Sequence, residues 1–517
     1  MNMDGPEIIN ENADTTQSNM GMSPSDMSAV VDSDPFAGTE IEEATPSDLT
    51  PEIIGEDMLN EEHQGYFNSR TKSILLIGVG VLLVLVVFLG IMTLILKKGK
   101  SNPAPAAGNV NLTYWGLWED EAVYDEIFRS FEKSNPGIKI KYVKETAKTP
   151  ENQSSNYLQK LIARSKDKKG PDIFRYHNTW IPVLAQEKLL APLPKNVMKN
   201  EEFDSIFYEI HKKDLKIKDS YYGLPLMIDG LIMIYNKDLF DNAGVKPPQT
   251  WEELQKASSS LTVVDKAGRI TSSGLSIGTA NNLQHFSDIF GFMLLQNGGN
   301  LAKLSNEEGV QTLKAFRSFA VGTNAVWNEN LTDNIAMFVS KKVAMVMAPS
   351  WQVSSIKTAN PSLNIATSAL PRLPGANPLS IANYWVEGVS TQASATQQQA
   401  AWKLLKYMIE KENLTKIYSN QMKTRVMGSP YPRVDMRVLL QNKDPNNYAS
   451  AVMEHAPYFV SLPMINRTFD QSLNDPISIY IGNAIEKNIQ GVTYEAVLQD
   501  AEKGVLGILT RYNIKAN

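Results

Sequence analysis

The chain runs to 517 residues, with 50 lysines and arginines against 56 aspartates and glutamates and no cysteine. That length exceeds one ordinary hydrophobic core and points to two or three folding units. Without cysteine there are no disulfides, no thiolate metal sites, no cysteine nucleophile and no lipid on an N-terminal cysteine.

The charge is unevenly placed. Residues 1–72 carry 16 acids against 2 bases, whereas the remainder carries 48 bases against 40 acids. Neither part is basic enough to read as a nucleic-acid binder. Residues 1–72 are rich in Asp, Glu, Ser, Asn and Met, with few large apolar residues and local clusters at Ile8-Ile9 and Ile53-Ile54. Such a stretch buries too little apolar surface to offset chain entropy, so it is expected to be a disordered acidic tail. Residues 73–96 then read SILLIGVGVLLVLVVFLGIMTLIL, 24 residues without a charge. At about 1.5 Å per residue this run exceeds the roughly 30 Å hydrocarbon core of a bilayer. It is too long and too far along the chain for a simple cleaved signal peptide, and is expected to be one uncleaved transmembrane helix. Arg70 and Lys72 precede it, and Lys97, Lys98 and Lys100 follow. Two flanking bases against three do not fix its orientation. Residues 97–109 form a Pro/Ala linker.

From residue 110 onward, short apolar strands alternate with amphipathic helices, the α/β pattern. The sequence predicts strands at 111–115, 138–142, 172–176, 231–235 and 344–347. It predicts helices at 119–135, 152–165 and 237–242, the last ending at Gly244. Thr250-x-x-Glu253 and Ser394-x-x-Gln397 are capping boxes that open two more. Only five histidines are present, and none has the H-E-x-x-H spacing of a metal site. No G-x-S-x-G elbow or P-loop occurs either. Paired carboxylates for glycoside hydrolysis are a matter of spatial arrangement, which sequence leaves open.

A series of stretches in this region resembles the extracellular solute-binding proteins of ABC importers, in the sugar-binding branch that includes maltose-binding protein. They are Leu112-Thr113-Tyr114-Trp115, Gly170-Pro171-Asp172-Ile173, Leu189-Leu190-Ala191-Pro192-Leu193, Tyr222-Gly223-Leu224-Pro225, Ile234-Tyr235-Asn236-Lys237-Asp238-Leu239-Phe240, Pro248-Gln249-Thr250-Trp251-Glu252-Glu253, Gln296-Asn297-Gly298-Gly299 and Phe338-Val339-Ser340-Lys341-Lys342-Val343-Ala344-Met345. The resemblance covers about 110–517. It implies a bilobal periplasmic-binding-protein type II α/β fold with a hinge. Lobe one would be about 110–227 and 388–445, and lobe two about 228–387 and 446–517. It implies a monomeric, cofactor-free binding protein that closes over a mono- or oligosaccharide and passes it to ABC permease subunits. The domain would stand outside the cytoplasmic membrane, held to the lipid bilayer by 73–96, with the tail in the cytoplasm. A ligand sensor or surface glycan-binding protein is the alternative, and a glycoside-active enzyme the more distant one.

A sugar offers apolar C–H faces and a rim of hydroxyls, so its site needs aromatic rings beside Asp, Glu, Asn or Arg. The sequence places such pairs just after strands, where open α/β sheets bind ligands. The resemblance marks Trp118, Glu119 and Asp120 after the first strand, and Asn178 and Trp180 after the third. It marks Asp229 at the first lobe crossing, Trp351 on the second lobe, and Tyr384, Trp385 and Glu387 at the next crossing. Asn178 stands where the family pattern has an Asp. Gln284-His285 and Tyr458-Phe459 read more naturally as core.

Overall fold

The computed structural model describes residues 109–145, 157–442 and 447–515. The expected span at 73–96, the acidic tail and all but the last residue of the linker lie outside these. Among the described residues no helix is long and apolar enough to cross a membrane.

Two five-stranded sheets organise the domain. We number the strands β1 (Val110–Gly116), β2 (Ile138–Lys144), β3 (Ile173–His177), β4 (Leu224–Pro225), β5 (Leu231–Asn236), β6 (Val263–Val264), β7 (Ile270–Leu275), β8 (Val343–Pro349), β9 (Ile365–Ser368), β10 (Ser380–Ile381), β11 (Trp385–Val389) and β12 (Phe459–Val460). The first sheet has the order β2-β1-β3-β11-β4, and the second β9-β5-β8-β7-β6. In the first, β1, β2 and β3 are parallel, and β11 returns antiparallel against β3 with Trp385 opposite His177. In the second, β8 is buried along its whole length, as a central strand covered on both faces must be. Helices Phe286–Gln296, Glu307–Ser318, Asn474–Ile489 and Tyr494–Arg511 pack together on the second lobe. The described residues form a bilobal α/β domain.

The helix starts obey the sequence. Ser394 and Gln397 close a reciprocal capping box. At Thr250 the box is half shifted: its hydroxyl accepts from Glu253 N–H, but the Glu253 carboxylate takes Gln249 N–H instead. Gly244 ends its helix in the left-handed region, where the missing Cβ removes the steric cost.

Three chain segments run side by side between the sheets. The first is 226–230, the second includes β10 and the stretch to Tyr384, and the third is β12. β10 pairs in parallel with β12, Gly230 bridges Ala382, and Ala382 N–H donates to Val460. A Cβ on Gly230 would stand 2.2 Å from the Phe459 ring and 2.4 Å from Ile381 O, so only glycine fits this crossing. The expected lobe boundary at 387/388 falls inside β11, which belongs wholly to the first sheet. The second lobe therefore gives way by Tyr384, because the antiparallel return strand starts at the hinge itself.

Candidate functional site

The first lobe presents Trp118, just past the C-terminal edge of β1. Its ring meets Trp385 edge-on, with centroids 4.7 Å apart. Trp385 is in turn held edge-on by His177 at 5.2 Å and Trp180 at 5.1 Å. Such pairs add about 0.5–1.5 kcal/mol each beyond area burial. The stack grades outward: Trp180 is wholly buried, Trp385 is 8% exposed and Trp118 is 36% exposed. Trp180 is thus a foundation and not a face for a ligand. Burial pulls the His177 pKa down to about 4. The neutral ring fits its bonds to Thr179 Oγ1 and Asn383 Oδ1.

The second lobe presents Trp351, 37% exposed, at the start of helix Gln352–Ala359. Trp118 and Trp351 are the only two exposed tryptophans of the eight in the chain. Trp351 rests edge-on against the buried His285, with centroids 5.7 Å apart. His285 holds a left-handed backbone, φ +64°, uncommon for a non-glycine residue.

Asp229 anchors this second platform. It is 1% exposed. Oδ1 accepts from Gly230 N–H (2.7 Å) and Ser350 N–H (3.0 Å), and Oδ2 accepts from Trp351 N–H (3.2 Å). Its own carbonyl accepts from Asn383 N–H. Asp229 therefore locks the first crossing to the second crossing and to the Trp351 turn, and its carboxylate is spent on main-chain amides. Burial raises its pKa to about 6, against the pull of those amides.

Asn178 is equally engaged. Its Oδ1 accepts from Tyr384 N–H (3.3 Å), and its Nδ2 donates to Asp214 Oδ2 (3.0 Å) and Ser461 Oγ (2.8 Å). Tyr384, fully buried, donates its hydroxyl to the same Asp214 oxygen at 2.8 Å. Asp214, on helix Glu209–Leu215, and Ser461, just past β12, join this cluster and were not marked by sequence reasoning. In His211-Lys212-Lys213-Asp214 the acid reads as one charge of a solvated helix face, and only the fold brings 178, 214, 384 and 461 together.

The remaining candidates divide. Asp120 is exposed and pairs with Lys144 at 2.6 Å, a surface bridge worth at most about 1 kcal/mol. Glu119 is nearly buried. Its Oε1 accepts from Gln421 Nε2 at 2.8 Å and lies 3.4 Å from Arg425 Nη2. Glu387 lies within β11 of the first sheet, 1% exposed, directly opposite Arg175 on the central strand β3 and paired with it at 2.7 Å. The expectation of a ligand contact there is corrected: Trp385 and Glu387 share one face of β11, but Glu387 lies deeper along the strand, buried and committed to Arg175, while Trp385 stands at the strand start and meets Trp118. Among the described residues no cluster of acids and histidines fits a metal ion. A groove of about 470 Å³ lined by Trp251, Gln296, Phe319 and Leu373 opens on the second lobe, but none of the site residues above lines it.

Comparison with known proteins agrees with this architecture. The family model described as bacterial extracellular solute-binding protein matches residues 126–425. The maltodextrin-binding protein MdxE of Bacillus subtilis is 24% identical over 345 residues, 62% of this chain and 75% of that one. Among solved structures, the cyclic α-maltosyl-1,6-maltose binding protein from Arthrobacter globiformis aligns with a TM-score of 0.62 at 20% identity, over 78% of this chain and 100% of its own. An ABC substrate-binding protein from Listeria monocytogenes in complex with cycloalternan aligns with a TM-score of 0.60 at 22% identity, over 79% and 100%.

Proposed function

The chain belongs to the bacterial extracellular solute-binding protein family, and we propose that its two lobes close over a carbohydrate and deliver it to the permease of an ABC transporter. Proteins of this family bind substrates and are not enzymes, so the site needs shape and hydrogen bonds but no reaction machinery. The observation that carries the carbohydrate reading is the pair of exposed tryptophans, Trp118 on one lobe and Trp351 on the other. Each is braced from behind and tied to the crossings, Trp118 through Trp385 and Trp351 through Asp229. Aromatic faces on opposing walls suit the C–H faces of sugar rings. Closure orders the lobes and strips water from hydroxyls, so the stacked rings and polar bonds must exceed that cost. Relatives named for maltodextrin and for cyclic maltosyl-maltose support the same substrate class.

The apolar run 73–96 would hold the domain at the outer face of the cytoplasmic membrane, with the acidic tail inside. Tethering raises the domain's effective concentration at a permease. The test uses the full chain in detergent, screened by thermal shift and tryptophan fluorescence against maltose, maltotriose, maltotetraose, mannobiose, a cyclodextrin, sorbitol and a tripeptide. A ligand at about a hundred times its Kd adds about 2.7 kcal/mol of stability. The expected result is a raised Tm and altered tryptophan emission with at least one carbohydrate, which is recovered uncleaved. Stabilisation by the tripeptide alone, or by none of the sugars, would overturn the reading.

A further inference from the structure

Resting on the carbohydrate reading above, we propose that Asp214 is the carboxylate that receives ligand hydroxyls on the first lobe, in place of Asn178. The Asn178 amide is buried and both its ends are engaged, by Tyr384, Asp214 and Ser461. Its Nδ2 donates to the very acid that takes over its task. Three donors converge on Asp214 Oδ2, from Asn178 at 3.0 Å, Tyr384 at 2.8 Å and Ser461 at 2.6 Å. Oδ1 takes none of them. Asp214 is half-buried, and among the described residues no donor is seen on Oδ1. A carboxylate has about four lone-pair sites, so an oxygen with no donor keeps its capacity for a hydroxyl.

The location supports the role. Asn178 begins directly after β3, at the strand end where open α/β sheets bind ligands, and Tyr384 adjoins Trp385 of the first platform. Fixing Oδ2 by three donors from three different segments pre-organises Oδ1. Burial also lifts the Asp214 pKa to about 6. Lys213 on its own helix opposes this rise, whereas Tyr176 and Tyr384 face the carboxylate and stay neutral. A charged acceptor binds a hydroxyl more tightly than a neutral acid, so affinity should fall as pH drops through about 6.

The experiment is titration of full-length wild type and Asp214→Asn with whichever carbohydrate of the panel above binds the wild type, from pH 7.5 to 5. The expected result is a loss of affinity of about ten- to hundredfold at pH 7.5 in the variant, with its pH dependence flattened. Equal affinity and an equal pH profile would overturn this proposal and leave the carbohydrate reading standing. If no carbohydrate binds the wild type, the carbohydrate reading falls and this one with it. Should Asp214→Asn fail to fold, Ser461→Ala decides. It removes one donor from Oδ2 only, so the midpoint of the pH profile should move up by about half a unit, and an unmoved midpoint would overturn the proposal.

Discussion

The two lobes brace their exposed tryptophans by different physics. Trp118 stands on a stack of aromatic edges, Trp385 over His177 and Trp180, with no charge among them. Trp351 stands on one buried histidine and on a carboxylate, Asp229, that holds its backbone amide. The first platform is kept in place by burial and should be indifferent to pH and salt. The second is kept in place by hydrogen bonds to a buried acid. A sugar site built from these two tryptophans, as proposed, would separate positioning by packing from positioning by charge.

Removing the centre of the first stack gives the largest effect. Trp385→Ala opens a cavity beneath Trp118 and unsupports three rings at once, and should cost about 3–5 kcal/mol of stability. Urea unfolding of the full-length variant checks this, and loss of sugar-induced fluorescence change should accompany it. A cost under 1 kcal/mol would mean that the stack is not what holds Trp118. On the other wall, Asp229→Ala strands the Gly230, Ser350 and Trp351 amides, and should cost about 1–3 kcal/mol. Asp229→Asn keeps one acceptor oxygen and should lie between that variant and wild type. Were both substitutions neutral, the charge-built description of the second platform would be wrong.

The exposed rings themselves are a smaller matter for folding. Trp351→Ala should change stability by less than about 1 kcal/mol, since the ring is more than a third exposed, while lowering sugar affinity about ten- to fiftyfold. Trp118→Ala should behave alike. If Trp351→Ala instead abolishes folding, the ring belongs to the core and the second wall of the site lies elsewhere.

Much of this was legible in the sequence, and the limits have physical causes. The alternation of strand and helix and the Ser394 capping box carry local signals, and the structure reproduces them. Trp118 and Trp351, which the family resemblance marks, do stand exposed just past the ends of β1 and β8. Glu387 was misplaced because how deep a residue lies along β11 depends on register, and register is fixed by pairing with Arg175 on a strand about two hundred residues away. Trp180 was read as a face because nothing local says that Trp385 will cover it. Asp214 was missed for the same reason in reverse: three of its partners lie on other segments, at sequence separations of 36, 170 and 247.

The gentlest way to sharpen the comparison is acid titration without ligand. Asp214, Asp229 and Asp475 have native pKa values raised by burial to about 6. The native state then holds their protons where the unfolded chain does not, so their contribution to stability is largest in acid and is lost as pH rises from about 4 to about 6. His177 and His455 are lowered to about 4 and His211 to about 3, again by burial. Here the unfolded chain binds the extra protons, so stability is full above the ordinary histidine pKa and is lost as pH falls below it. Three acids oppose three histidines between about pH 4 and 6, so the contributions of these six groups to the Tm largely offset across that window. Asp214→Asn removes one acid from this balance and lets the histidines prevail. Its Tm should then decline on acidification relative to wild type, with stability changing by about 1.4 kcal/mol more per pH unit. Parallel curves for wild type and variant in a thermal-shift series from pH 6.5 to 4 would show that Asp214 does not titrate in this range. The pH arm of its proposed role in ligand binding would then fail with it.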